Sequence, residues 1–354
     1  MKKKLLLLGL LPVLGMGAIS TTKGVNAAAG KLDSFFSDIG NDRDKYCQKA
    51  MDLNQRISDE GCVLLKNDGF LPMAKNSKVS LAGKSSISLV RGGAGSGAGS
   101  VSRGITEIKM VDSLESAGLL VNKTLTSFYE SSASGSGRTN GNSNWKGISE
   151  VTIGETPLSS YSQDVLASID EYKDAAIFVI SREGSEGCDV KTCNAHDSQK
   201  NPNPISNRHA LEMSVNEEAL FNELKQHTDH IIIIINSGNA YECDVFEKDD
   251  KVSGILWIGT PGANGAGAVG RILTGDVNPS GKTVDTWTRD FTKDPSFQNF
   301  SDNAQNNLVL DANGNEIYAP ADTLFNADGT PVRSDGTYKG APVYEDELNK
   351  VVTA

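Results

Sequence analysis

Cysteine is scarce in this chain: Cys47, Cys62, Cys188, Cys193 and Cys243 are the five in 354 residues. A set so odd and so scattered excludes a small disulfide-built scaffold, although Cys188 and Cys193 could close one short loop in an oxidising compartment. Histidine is scarcer, with four residues, and none stands at a ligand spacing from a cysteine pair, which argues against zinc. Positive charge is in deficit too. The 34 Lys and Arg face 45 Asp and Glu, a net of −11, and no basic patch stands out, so neither nucleic acid nor anionic lipid is an expected partner.

The amino terminus is the exception to this acidity. Residues 1–29, "MKKKLLLLGLLPVLGMGAISTTKGVNAAA", hold Lys2, Lys3, Lys4 and Lys23 and no acid; their loss leaves 30 basic against 45 acidic residues, a net of −15. A lysine cluster, an apolar stretch from Leu5 to Ile19 and a run of small residues ending at Ala29 have the form of a secretory signal peptide. The apolar stretch falls short of the roughly 20 residues that span a bilayer, and no second stretch of that length follows. The mature protein is therefore expected to be secreted, with no membrane attachment after signal cleavage.

Beyond a leading helical segment at 30–58, strand and helix patterns alternate. "KVSLAG", "GLLVNK", "AAIFVIS", "HIIIIIN", "SGILWIG" and "KTVDTW" read as strands. Helices are expected at about 105–117, 161–172, 215–227, 241–248 and 265–273. Ser214 followed three residues later by Glu217 forms a capping box, which sets the start of one of them. The runs Ala175–Ser181 and Ile231–Ile235 are continuously apolar, so both faces of those strands must be covered. The prediction is an α/β three-layer sandwich: a mostly parallel sheet of about six strands with helices on both faces. "SSASGSGRTNGNSN", Ser131 to Asn144, has little to bury and reads as a long exposed insertion. Residues 303–354 read as an irregular tail.

The stretch "VISREGSEGCDVK" ends an apolar strand in Glu183, Glu186 and Asp189. The carboxyl end of a parallel strand is where functional side chains are delivered, although a solvated acidic loop has the same composition. Two glycine-rich stretches have features of nucleotide loops, which would bring a cofactor. "LAGKSS" ends like a phosphate loop, but Lys78 stands where its first glycine is required. "GGAGSGAG" begins about eight residues after the nearest strand instead of directly at its end. No cofactor is expected.

Several motifs in order, "DEGCVLLKNDGFLPM", "RGGAGSGAGSV", "AAIFVISREGSEGCD", "IIIIINSGNAYE" and "ILWIGTPGANGAGAVGRILTGDVNPSGKTVDTWTRDF", resemble the carboxyl-terminal α/β-sandwich domain of glycoside hydrolase family 3 over about residues 59–302. The variant most similar is the one in which this sandwich precedes the catalytic (β/α)8 barrel. The resemblance implies a β-glucosidase- or β-xylosidase-like retaining glycosidase acting on a β-linked oligosaccharide or glycoside. In the family the barrel supplies an aspartate nucleophile and the sandwich a loop carrying the general acid/base. On that loop's pattern Glu186 takes the catalytic role, with Arg182, Asp189, Gly93 and Gly95 implied at the substrate. The loop's usual final arginine is replaced by Val190.

A (β/α)8 barrel takes about 250 residues, and none is read outside the sandwich. "FSDIG" and "RSDGT" contain Ser-Asp without the aromatic residue of the family's nucleophile motif. The sandwich is therefore expected to hydrolyse glycosides only if a barrel is supplied, for instance by a separate chain. The alternative is a non-catalytic secreted carbohydrate-binding or interaction module.

Overall fold

The computed structural model describes residues 43–93, 105–138, 152–184, 190, 197, 208–294, 308–310 and 316–318. The chain divides at Asp52–Leu53, and of the first unit only the beginning of helix α1 (Arg43–Gly61) is described. The second unit is built on a six-stranded sheet. Its strands are β1 (Val63–Asn67), β2 (Lys78–Ala82), β3 (Leu120–Val121), β4 (Ala175–Arg182), β5 (Ile231–Ser237) and β6 (Val252–Trp257), in the spatial order β1-β6-β5-β4-β2-β3. All neighbours run parallel except β1, which pairs antiparallel with β6.

Continuous apolar runs become strands buried on both faces because successive side chains point to opposite sides. In β4, Ala176, Phe178 and Ile180 enter one core, together with Ile231, Ile233 and Ile235 of β5. Helices α3 (Lys123–Glu130), α4 (Gln163–Glu171) and α5 (Val215–His227) close that face through Leu125, Ile169, Leu220, Phe221 and Leu224. The alternate residues Ala175, Ile177, Val179, Ile232 and Ile234 enter a second core. There α2 (Met110–Ser116) and α7 (Gly267–Leu273) bring Met110, Leu114, Val269, Ile272 and Leu273. The three central strands of the sequence reading are thus neighbours in one sheet with helices on both faces. The expected capping box is present: Glu217 N donates to Ser214 Oγ at 3.1 Å and Ser214 N to Glu217 Oε2 at 2.8 Å.

Four expectations need correction. "KTVDTW" is not a strand: Val284 is 96% exposed, and Trp287 instead packs edge-on against Trp257, ring centroids 5.7 Å apart. The sixth strand is β1, whose antiparallel pairing occupies the free edge of β6. Helix α3 was not anticipated, because its signal is the single cap Asn122, whose side chain accepts from Leu125 N at 3.1 Å. The helix near 241–248 shrinks to one turn, α6 (Asp244–Glu247). The segment read as an irregular tail contains a short antiparallel pair, β7 (Leu308–Leu310) with β8 (Glu316–Tyr318). No helix among the described residues is long and apolar enough to cross a membrane. Residues 1–29 and the Cys188–Cys193 pair lie outside the described residues.

Candidate active site

From β2 the chain crosses outward to β3 and then returns to the other side of β2 as β4. The strand order therefore reverses between β2 and β4, and the region beyond the carboxyl ends at such a reversal is where α/β folds bind ligands. Four loops meet at this edge. After β2 comes the turn at Gly83 and the approach to the glycine loop. After β4 comes the acidic loop. The segments after β5 and β6 complete it.

Asn236, fully buried at the end of β5, ties three of them together. Its Nδ2 donates to Val90 O at 2.9 Å and to Gly259 O at 2.7 Å, while its Oδ1 accepts from Val90 N at 2.6 Å and from Ser181 Oγ at 2.8 Å. A carboxamide has two donor hydrogens and two acceptor lone pairs, so this one is saturated. The glycine loop's first residues are thereby seated beside the end of β4. Arg91 is held further by Gly262 N, which donates to its carbonyl at 2.9 Å, and by an ion pair with Glu107 at 2.9 Å. Gly93 falls just after this anchored stretch, whereas Gly95 lies outside the described residues.

Arg182, the last residue of β4, is 3% exposed. Its Nη1 and Nη2 form a two-pronged bridge to Glu217 at 2.8 and 2.6 Å. The remaining donors reach the Ala210, Ser181 and Glu212 carbonyls and the Tyr241 hydroxyl. Burial alone would lower the guanidinium's pKa, but the adjacent Glu217 carboxylate reverses the direction. Every guanidinium nitrogen already has a protein acceptor. The sequence motif places Arg182 at the root of the loop but does not reveal this pairing, because Glu217 is also the capping-box residue of α5.

Glu183, one residue further on, is half-buried, with its side chain largely enclosed. Its Oε2 accepts from Arg138 Nε at 3.1 Å, with the two side chains 9% and 6% exposed. Arg138 comes from the Ser/Gly/Asn stretch expected to be exposed; Ser131, Ser132, Ala133, Gly135 and Ser136 are exposed, while Ser134 is buried and Arg138 turns inward. Ser134 is buried, and its Oγ accepts from Lys84 Nζ at 2.7 Å. Ser134 can be buried because its hydroxyl has partners, a property that composition does not record.

Gly184 follows Glu183. It has no left-handed φ, and a Cβ there would meet Val190 Cγ1 at 3.4 Å, an ordinary contact. The described backbone at this position does not require glycine. Glu186, Gly187 and Asp189 lie outside the described residues.

Two further carboxyls stand behind the edge and were missed by the motif search. Glu155 is 4% exposed and accepts from Lys84 N at 3.0 Å and from Thr156 N at 2.8 Å. Burial, and then the nearby Glu217 charge, push its pKa up from 4.5 to about 8. Asp197 accepts from Glu155 N and Asn216 N, each at 3.2 Å, and burial followed by Glu217 raises it from 3.8 to about 6. Nothing in the spacing of "IGETP" marks Glu155, since its neighbours in space come from distant segments.

The "GKSS" turn has a structural explanation. Gly83 has φ 90°, and a Cβ there would lie 2.7 Å from Val179 O. The Lys84 ammonium is buried against Tyr129 O at 2.6 Å. A lysine aimed into the protein is not poised for phosphate.

Comparison with known proteins agrees with the architecture. The family model described as the glycosyl hydrolase family 3 C-terminal domain matches residues 62–328. A curated relative, beta-glucosidase A of Butyrivibrio fibrisolvens, is 32% identical over 262 residues, covering 72% of this chain and 30% of that protein. A beta-glucosidase of Ruminococcus albus is 27% identical over 263 residues, covering 73% of this chain and 25% of that protein. Among solved structures, beta-glucosidase 3B from Thermotoga neapolitana in complex with glucose superposes with a TM-score of 0.54 at 27% identity, over 71% of this chain and 32% of that one. The chain thus spans about a third or less of the length of these relatives. By its sheet order, its covered faces and the match over residues 62–328, the chain belongs to glycosyl hydrolase family 3, whose C-terminal domain it carries.

Proposed function

We propose that this chain is the sandwich part of a retaining β-glycosidase and provides Glu186 as the general acid/base once a (β/α)8 barrel supplies the nucleophile. The observation that supports this most is the position of the acidic loop. It leaves β4 at the strand-order reversal, beside the anchored approach to the glycine loop, in a chain whose family model is that of a glycosyl hydrolase.

In a retaining enzyme one carboxylate attacks the anomeric carbon while a second carboxyl, about 5 Å away, protonates the leaving oxygen. Water then releases the sugar with that second group acting as base. Of the loop's acids, Glu183 is committed to Arg138, and the family's loop pattern gives the proton transfer to Glu186 and contact with the sugar to Asp189. Gly93 and Gly95 let the backbone approach the substrate closely. Arg182 serves by fixing the end of β4, because its donors are all engaged. Residues 1–29 direct export, which sequencing the amino terminus of protein recovered from culture medium would check.

The test is hydrolysis of aryl β-glucosides and β-xylosides by the mature chain, with and without a family barrel added in trans. No turnover is expected alone. With the barrel, Glu186→Gln should remove about 10² to 10⁴-fold of the activity, the usual contribution of general acid–base catalysis. The loss should be smaller for dinitrophenyl glycosides, whose leaving group needs little protonation. Activity of the lone chain that survives Glu186→Gln would overturn the assignment. Sugar binding without turnover in the presence of the barrel would assign a carbohydrate-binding role instead.

A further inference from the structure

Arg138 is placed with more care than a lone surface arginine would be. Its backbone lies against Gly154, where φ is 75° and a Cβ would fall inside contact distance of Arg138 N. The preceding turn is pinned on two sides: Thr156 Oγ1 donates to Ser134 O at 2.8 Å, and Lys84 Nζ donates to Ser134 Oγ at 2.7 Å. From this seat the guanidinium crosses the strand-order reversal. Nε donates to Glu183 at 3.1 Å, at the root of the acidic loop, and Nη1 donates to Ser88 O at 3.2 Å, two residues before the Val90 that Asn236 holds.

Stability does not explain such a pair well. A poorly solvated ion pair is often matched or bettered by apolar residues of similar volume, and in some proteins such a pair is kept because it fixes geometry. The reaction proposed above needs that geometry. A general acid displaced by about an ångström loses much of its effect. The stretch after Glu183, "GSEG", contains two glycines.

We propose that Arg138 is a positioning residue for the acid/base loop, fixing the loop's root at Glu183 against the approach to the glycine loop at Ser88, so that Glu186 starts from a fixed origin three residues on. This rests on the reading of Glu186 as the acid/base. Arg138 touches neither substrate nor reacting atoms; it acts through Glu183.

The test uses the full mature chain and replaces the pair together, Arg138→Met with Glu183→Met, which leaves no uncompensated buried charge. Arg138→Lys serves as the conservative variant. Urea unfolding confirms that each is folded. Hydrogen exchange in peptides covering 183–197 should then quicken about tenfold or more in the double variant, while peptides within β4 and β5 keep their protection. With the barrel in trans, kcat/KM should fall about tenfold or more for alkyl or methylumbelliferyl glycosides and little for dinitrophenyl glycosides. Arg138→Lys should recover part of both effects.

Unchanged exchange at 183–197, or an equal loss on all leaving groups, overturns the positioning role, since a merely structural defect does not discriminate by leaving group. If Glu186→Gln itself shows no leaving-group dependence, the acid/base assignment has failed, and the exchange result alone decides whether Arg138 fixes the loop root.

Discussion

Glu155→Gln should make the protein more stable at pH 8 and leave it nearly unchanged at pH 5. Glu155 is buried, and burial followed by repulsion from Glu217 raises its carboxyl from 4.5 to about 8. A folded-state value above the unfolded one means that the native state holds its proton more tightly. The associated stability is complete below about pH 4.5 and is lost as pH rises through 8. At about 1.4 kcal/mol per tenfold change in proton affinity, the full loss is on the order of 3–5 kcal/mol.

Glutamine keeps the shape and one acceptor for Lys84 N and Thr156 N but cannot ionise. Its amide costs about 1 kcal/mol if one hydrogen stays unpaired, so the expected net gain at pH 8 is about 2–4 kcal/mol. Asp197, raised to about 6, adds a slope of the same sign in both proteins. The assay is urea unfolding of wild type and variant at pH 5, 6.5 and 8, read at constant m. A variant destabilised equally at all three pH values would refute the reasoning, because it would mean that Glu155 is ionised throughout and held by its hydrogen bonds.

Arg182→Met should cost about 3–5 kcal/mol because it strands the buried Glu217 carboxylate, whereas adding Glu217→Gln should recover a large part of that loss; a thermodynamic cycle in urea measures the coupling. Gly270→Ala should destabilise by about 1–3 kcal/mol, because a Cβ would press into Ser113 O and lie 2.9 Å from Ala117 Cβ where α7 crosses α2; thermal unfolding reads it. Ser214→Ala should cost about 1 kcal/mol by removing the acceptor for Glu217 N, and it should loosen Arg182 through the same glutamate.

The sheet was legible in the sequence because its strands are autonomous signals. "AAIFVIS" and "HIIIIIN" are apolar at every position, which only a strand covered on both faces satisfies. Ser214 and Glu217 announced a helix start within four residues. The family motifs marked the acidic loop without any structure. Local pattern failed where the decisive partner is remote. Val63–Asn67 became the edge strand instead of "KTVDTW" because an antiparallel partner was available on β6.

The candidate site was legible only as residue types at one end of one strand. Its electrostatics came from tertiary structure. Arg182 and Glu217 are separated by 35 residues, Glu183 and Arg138 by 45, and Asn236 and Val90 by 146. Spacing along the chain carries no trace of such pairs, since charge acts through distance in space. The sequence by itself determined the layers and the strand end from which the acidic loop leaves. Folding decided which charges there are neutralised, which carboxyls have their pKa pushed up, and which arginine reaches across the edge to Glu183.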